Sequence, residues 1–301
     1  MKREIEFESE GTTLRGWIET PDDATGPVPV ICFAHGFSTL KEMFLPKHSN
    51  AFGGAGFASV VWDHANFGDS DGEPRYEVDP PRQVRGYRDA ITFATQQPEI
   101  DGSRVGIWGT SYSGGHVLQA AAFDKRVGAV VSQVPFVSGS ANRRRIFREE
   151  EQAKLNAAFL ADREARARGE EAGTMEVFGP SGSLCALPSP EEYDWMVEQG
   201  LFGTDIWENI TTIRSVEMMG EYEPGWHTPN ISAPLLMIVA RDDDVTPSDL
   251  AQDCFADARE PKKIIVLPCG HMEAYTTYFG TTLRAAMAWF AEHLAPSADA
   301  G

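Results

Sequence analysis

On both sides of Glu10-Gly11, in REIEFESEGTTLRGWIETP, apolar and polar residues alternate with a period of two. That pattern predicts an antiparallel hairpin with one buried face. Farther along, the alternation gives way to short continuous apolar runs: PVPVICFA, FASVVWD, RVGIWG, VGAVVSQVP, PLLMIVA and KKIIVLP. Such runs predict strands covered on both faces of a parallel sheet. Between them lie stretches with helical spacing, over 80–97, where Val84, Tyr87, Ile91 and Phe93 recur, and over 112–123, 248–258 and 272–294. Strands alternating with helices predict right-handed crossovers and a doubly wound α/β sheet. In such sheets, functional groups gather beyond the carboxyl ends of the strands.

One interval breaks the alternation. From Phe136 to Asn230 no buried-strand run occurs, and ANRRRIFREEEQAKLNAAFLADREARARGEEA reads as one long, charge-laced helix with Phe147, Leu155 and Phe159 on one face. Shorter helices are expected over 190–199 and 205–219. The interval 136–230 is therefore expected to be a helical cap inserted into a core formed by 1–135 and 231–295, with a flexible tail at 296–301.

Composition narrows the function. Of the 301 residues, 26 are Lys or Arg and 45 are Asp or Glu, a net charge of −19. This balance opposes phosphate backbones and anionic membranes, so no nucleic-acid or membrane partner is expected. No apolar run is long enough to cross a bilayer, and MKREIEFESE lacks the apolar centre of a signal peptide; a cytoplasmic location is expected. A homodimer is left open. Cys32, Cys185, Cys254 and Cys269 form no CxxC pair, so neither a metal site nor a disulfide framework is signalled.

The chemistry centres on VGIWGTSYSGGHVL, where an apolar strand runs through small residues into a helix. A strand that turns abruptly into a helix exposes the side chain at its apex, here Ser111, and aims the Tyr112 backbone N–H at the same point. A hydroxyl becomes an effective nucleophile only with a base to take its proton and donors to receive the developing oxyanion. GxGxxG and P-loop patterns are absent, which disfavours a phosphate-cradling turn. Ser113 falls inside the helix and is the weaker nucleophile candidate.

Among seven histidines, His271 directly follows the last strand-like run, IIVLPCG, and is the candidate base. ARDDDVTP, after the preceding run, offers Asp242, Asp243 and Asp244; turn geometry favours Asp243 as the carboxylate that orients the imidazole. The second oxyanion donor is expected from HGF after PVICFA, as the Phe37 N–H, with Gly36 allowing close approach and His35 bracing the loop against the substrate.

Taken in order, HGF, WDHANFGDSDG, GTSYSGG, ARDDDVTP and GHM resemble the α/β-hydrolase superfamily over most of the chain except the cap. The hairpin and the DHxNFGDSDG loop are similar to serine hydrolases near the X-Pro dipeptidyl-peptidase and dienelactone-hydrolase groups, and to relatives of the fungal polyketide transferases. The resemblance implies an eight-stranded, mostly parallel sheet, a Ser-Asp-His triad and no cofactor. Two positions depart from it: Ser113 stands where glycine is commoner, and Ala65 where these relatives often carry arginine.

Several residues keep two readings. Asp63, Asn66, Gly68 and Ser70 read as a structural turn or as substrate contacts. Trp195, Trp207 and Trp226, with Phe178, Tyr193 and Phe202, either line an acyl pocket or pack the cap on the core. Arg143, Arg144, Arg145 and Arg148 either pair with Glu149 to Glu151 on a solvated face or meet the phosphates of a thioester carrier. The expected activity is hydrolysis of a carboxylic ester or related acyl compound through an acyl-enzyme on Ser111. Acyl transfer and carbon–carbon bond hydrolysis use the same three residues, whereas dehalogenase or epoxide chemistry needs a carboxylate at position 111. A non-enzymatic receptor on this fold implies a damaged triad.

Overall fold

A computed structural model describes residues 1–202, 204 and 206–295. Strands β1 (Lys2–Ser9) and β2 (Thr12–Glu19) form the hairpin, paired from Ser9↔Thr12 to Lys2↔Glu19. Its two turn residues, Glu10 at φ 49° and Gly11 at φ 76°, both take the left-handed conformation that matches the twist of a two-residue hairpin loop.

The chain continues through β3 (Val28–Ala34), α1 (Leu45–Gly54), β4 (Ala58–Trp62), α2 (Pro80–Thr95), β5 (Ile100–Thr110), α3 (Tyr112–Phe123) and β6 (Val127–Gln133). After β6 come α4 (Gly139–Ile146), α5 (Glu149–Ala167), β7 (Thr174–Met175), α6 (Pro190–Glu198), β8 (Thr211–Thr212) and α7 (Ile213–Glu221). The chain then completes the main sheet through β9 (Leu235–Ala240), α8 (Ser248–Ala256), β10 (Lys262–Leu267) and α9 (Phe279–His293).

The main sheet has eight strands in the order β1-β2-β4-β3-β5-β6-β9-β10. The first two pairings are antiparallel and the rest parallel. Within β3, Val30 and Cys32 join the apolar layer that includes Val60, Ile107 and Leu118, while Ile31 and Phe33 join Phe52, Trp108 and Phe290 on the opposite face. Burial on both faces accounts for the unbroken apolar runs. From β3 the chain goes first to β4 on one side and then to β5 on the other. The carboxyl ends of β3 and β5 therefore flank a topological switch point, where a crevice opens.

The structure corrects some sequence expectations. KKIIVLP is not buried on both faces: β10 is an edge strand, and Val266 is 42% exposed. The long helix is interrupted at Phe147, whose backbone is extended (φ −101°, ψ 128°) and whose ring is buried. There the Arg148 N–H donates to Glu151 Oε2 at 2.9 Å, and Glu149 to Glu151 occupy the first turn of α5, where acidic side chains complement the helix dipole. The stretch expected to be helical from 205 begins its helix only at Ile213, because Thr211–Thr212 pairs with Thr174–Met175; Asp205 itself lies outside the described residues. The stretch 272–294 splits into a 3-10 turn, Met272–Tyr275, and α9. The tail at 296–301 also lies outside the described residues. No helix among those described is long and apolar enough to cross a membrane.

Candidate active site

Ser111 joins β5 to α3 at φ 55° and ψ −120°. A non-glycine residue here costs roughly 1–3 kcal/mol, which the surrounding packing must offset. Small neighbours make the bend feasible: a Cβ on Gly109 would collide with the Ser113 carbonyl, and one on Gly115 with that of Phe136. The Ser111 N–H donates to Gln133 O at 2.9 Å, and its carbonyl accepts from Phe136 N–H at 2.9 Å, fastening the bend to the end of β6.

The loop after β3 lies beside this bend, since a Cβ on Gly36 would sit 3.5 Å from Ser111 Cβ. His35 is buried. Its Nε2 accepts the His64 N–H at 3.1 Å, so Nδ1 carries the proton and donates to Gly36 O at 3.0 Å. Burial holds this ring's pKa down to about 4, keeping it neutral. Because a trans peptide directs its C=O and N–H oppositely, fixing the Gly36 carbonyl also fixes the Phe37 N–H. Among the described residues, neither the Phe37 N–H nor the Tyr112 N–H finds an acceptor. Ser113 is fully buried and donates its hydroxyl to His35 O, tying α3 to the same loop.

His271 follows β10 and meets Asp243, which follows β9. Nδ1 lies 2.8 Å from Asp243 Oδ2, so Nδ1–H donates and Nε2 keeps its lone pair. Asp243 Oδ1 accepts from Val245 N–H at 3.0 Å and Thr246 N–H at 2.6 Å. Of the three aspartates, Asp243 alone is buried; exposed Asp242 pairs with Arg241, and exposed Asp244 accepts from Ser189 Oγ. Burial opposes the charged His271 ring, but the Asp243 charge and hydrogen bond, aided by Glu192 and Asp244, outweigh it and raise the pKa.

Ser111 and His271 line one pocket. No hydrogen bond joins their side chains in this structure, and such contacts often tighten only when substrate binds. Two further lining residues carried no recognisable signal in the sequence. Tyr275 OH lies 2.7 Å from Thr110 Oγ1, and Glu192 reaches the pocket from α6. Packing brings Glu192 there from a distant segment, while Tyr275 arrives on the turn that begins at His271.

None of the three tryptophans lines this pocket, which corrects the pocket reading; Trp195 and Trp207 follow the other one and pack against residues of the 1–135 segment. Trp195 stacks obliquely on Phe44, itself a wall residue, with centroids 5.5 Å apart. Trp207 donates Nε1–H to Ser38 O at 2.6 Å and borders a separate groove. Trp226 is 75% exposed, because neighbouring Gly225 is held by Val137 O and leaves the ring outside. The apolar wall comes instead from Met43, Phe44, Phe178, Leu187 and Met196.

Asp63 and its loop form a built turn. Asp63 Oδ1 accepts from Lys41 N–H, Oδ2 accepts from Lys41 Nζ, and Ser70 Oγ donates to the Asp63 carbonyl. Lys41 Nζ occupies the cation position among Glu42, Asp63 and Asp69, where these carboxylates converge. In the arginine run, Arg145 forms a fork with Asp249 and Arg148 pairs with Glu151.

The model of the X-Pro dipeptidyl-peptidase (S15) family matches residues 10–273. The chain belongs to that family. This S15-family chain is 33% identical to the quorum-quenching protein AidA of Acinetobacter baumannii, over 81% of its own length and 80% of the relative's. It is 32% identical to the thiohydrolase aneE of Aspergillus aculeatus, over 87% and 83%. The crystal structure of the α/β-hydrolase GrgF from Penicillium, a protein also named a polyketide transferase, superposes with a TM-score of 0.86 at 25% identity, covering 98% of this chain and 100% of that one. The S15-family chain thus has the α/β-hydrolase fold and is an enzyme of that superfamily.

Proposed function

We propose that the protein is a serine hydrolase that cleaves a carboxylic ester or thioester through an acyl-enzyme on Ser111. The observation that carries this reading is the Asp243-oriented His271 on the same pocket as a strained Ser111, beside two backbone N–H groups without acceptors. His271 Nε2 takes the hydroxyl proton as Ser111 Oγ attacks the carbonyl carbon. Negative charge on the carbonyl oxygen is received by the Phe37 and Tyr112 N–H groups, and Asp243 stabilises the imidazolium. The imidazolium returns its proton to the leaving alkoxide or thiolate as the carbonyl re-forms, leaving the acyl group on Ser111. Water, deprotonated by the same Nε2, then releases the acid and free Ser111.

The residues 136–230 act in this reading as a cap: Phe178, Leu187 and Met196 supply part of the pocket's apolar wall, and an apolar acyl chain is the cargo such walls suit. Thioesters enter because a relative is named a thiohydrolase. The test is turnover of short-chain nitrophenyl esters and N-acetylcysteamine thioesters, with Ser111→Ala expected to abolish both.

A second reading, acyl transfer, is favoured by the apolar enclosure and by GrgF's name as a polyketide transferase. It requires that another alcohol replace water at the acyl-enzyme. Product analysis with a competing alcohol separates the two: free acid as the main product supports hydrolysis, and a new ester in preference to acid supports transfer.

A further inference from the structure

Glu192 is a conspicuous group in the pocket that the proposed chemistry leaves unused. It sits in the first turn of α6, the residue is 3% exposed, and its Oε2 is buried with no hydrogen-bond partner among the described residues. A carboxyl group in such a place destabilises the fold unless something satisfies it, because it has given up water and received nothing in return. The backbone around it is well held. Glu192 N–H donates to Ser189 Oγ at 3.4 Å, and Ser189 Oγ donates to Asp244 Oδ2 at 3.0 Å, joining the start of α6 to the loop that carries Asp243. Glu192 is therefore presented to the pocket by a fixed support.

The charged groups facing it are His271, Asp243 and Asp244. Burial is the main cause that lifts its pKa to about 7, so both protonation forms are available near neutrality. A hydroxyl suits both forms, since it donates to the carboxylate and accepts from the acid. A substrate ammonium suits the site less: it needs the full carboxylate, must lose its own hydration among apolar walls, and stands close to the ring that becomes an imidazolium.

The geometry points to Glu192 as a specificity-determining residue that hydrogen-bonds a hydroxyl on the acyl chain of the substrate, so that hydroxyacyl esters or thioesters are selected over plain acyl ones. This rests on the serine-hydrolase reading. A site built to bond a hydroxyl rejects the analogue lacking it, because the buried partner is then left unsatisfied.

The test compares kcat/KM for the N-acetylcysteamine thioesters of hexanoic, 3-hydroxyhexanoic, 6-hydroxyhexanoic and 6-aminohexanoic acids. In the native protein, the better hydroxylated substrate should exceed the plain one by about tenfold or more. Glu192→Leu should bring that ratio below about threefold, and Glu192→Gln, which keeps an acceptor oxygen, should retain part of it. Glu192→Leu should also raise Tm by about 2–4 °C, since it removes an unpartnered buried carboxyl. The proposal is overturned by a native protein indifferent to the hydroxyl, by a preference that survives Glu192→Leu, by preference for the amino substrate, or by a fall in Tm with equal loss on every substrate. Fluorophosphonate labelling separates the two levels. Native protein that is labelled yet shows no hydroxyl discrimination, or a discrimination that persists in labelled Glu192→Leu, sinks the Glu192 assignment alone, while unlabelled, folded native protein sinks the serine-hydrolase reading beneath it.

Discussion

Asp243 Oδ2 lies 2.8 Å from His271 Nδ1, while Oδ1 of the same carboxylate is already held by two backbone N–H groups. The orientation of the ring is thus anchored in the backbone of the loop after β9, and the lone pair is left on Nε2. Replacing Asp243 by Asn would offer an amide N–H to Nδ1 and shift the ring proton to Nε2. Asp243→Asn should fold normally and lower kcat by about 10³–10⁴-fold. Steady-state kinetics alongside circular dichroism check this.

The pH profile follows from the charges around His271. General-base action needs the neutral ring, and its pKa is raised by Asp243, Glu192 and Asp244 against the opposing effect of burial. The acid limb of kcat/KM should therefore have its midpoint above the usual histidine value of about 6.5, and Glu192→Gln should move it down. A midpoint unchanged in Glu192→Gln would show that the two groups do not interact.

Glu192 also links pH to stability. Its folded pKa of about 7 exceeds the ordinary glutamate value, chiefly through burial, so the folded state holds a proton that the unfolded chain releases. Stability should fall as pH rises from about 4.5 to about 7 through this group. Denaturant unfolding of the native protein and Glu192→Gln should therefore diverge progressively across that window, with the variant gaining relative stability at the higher pH.

Much of the architecture was legible in the chain, for a physical reason. Strands buried on both faces must be continuously apolar, and the strand-to-helix bend at Ser111 needs glycines where backbones nearly touch, so β3, β4, β5, β6 and β9 and the bend all leave local marks. β10 resembled them although its edge position leaves it partly exposed, because period and apolarity do not report what lies on the other side of a strand. The break at Phe147 was hidden within a strongly helical composition; inward packing of one ring decided it. Glu192 reaches the pocket through packing between distant segments, which no local pattern encodes, whereas Tyr275 enters on the turn that follows His271. Trp226 shows the converse, an aromatic residue between β6 and β9 that simply faces outward.

Ser113 has a definite place in this arrangement. Its hydroxyl donates to the His35 carbonyl and so supports the loop that orients the Phe37 N–H. Ser113→Ala should cost about 1 kcal/mol of stability and lower kcat about tenfold with little change in KM. Equal effects on kcat and KM for all substrates would argue against a role through the oxyanion donors.

The pocket wall and the outer tryptophan should separate cleanly in kinetics. Met196→Ala removes a wall residue and should alter the acyl-chain preference several-fold, whereas Trp226→Ala, on the exposed turn, should change kcat/KM less than about twofold. Chain-length series of nitrophenyl esters would reveal both.

Rapid-quench intact-mass analysis of the protein mixed with a hexanoyl thioester should show the acyl mass appearing before free acid accumulates, and peptide mapping should place it on Ser111, with no adduct in Ser111→Ala. An acyl group on any other residue, or undiminished turnover by Ser111→Ala, would contradict the account.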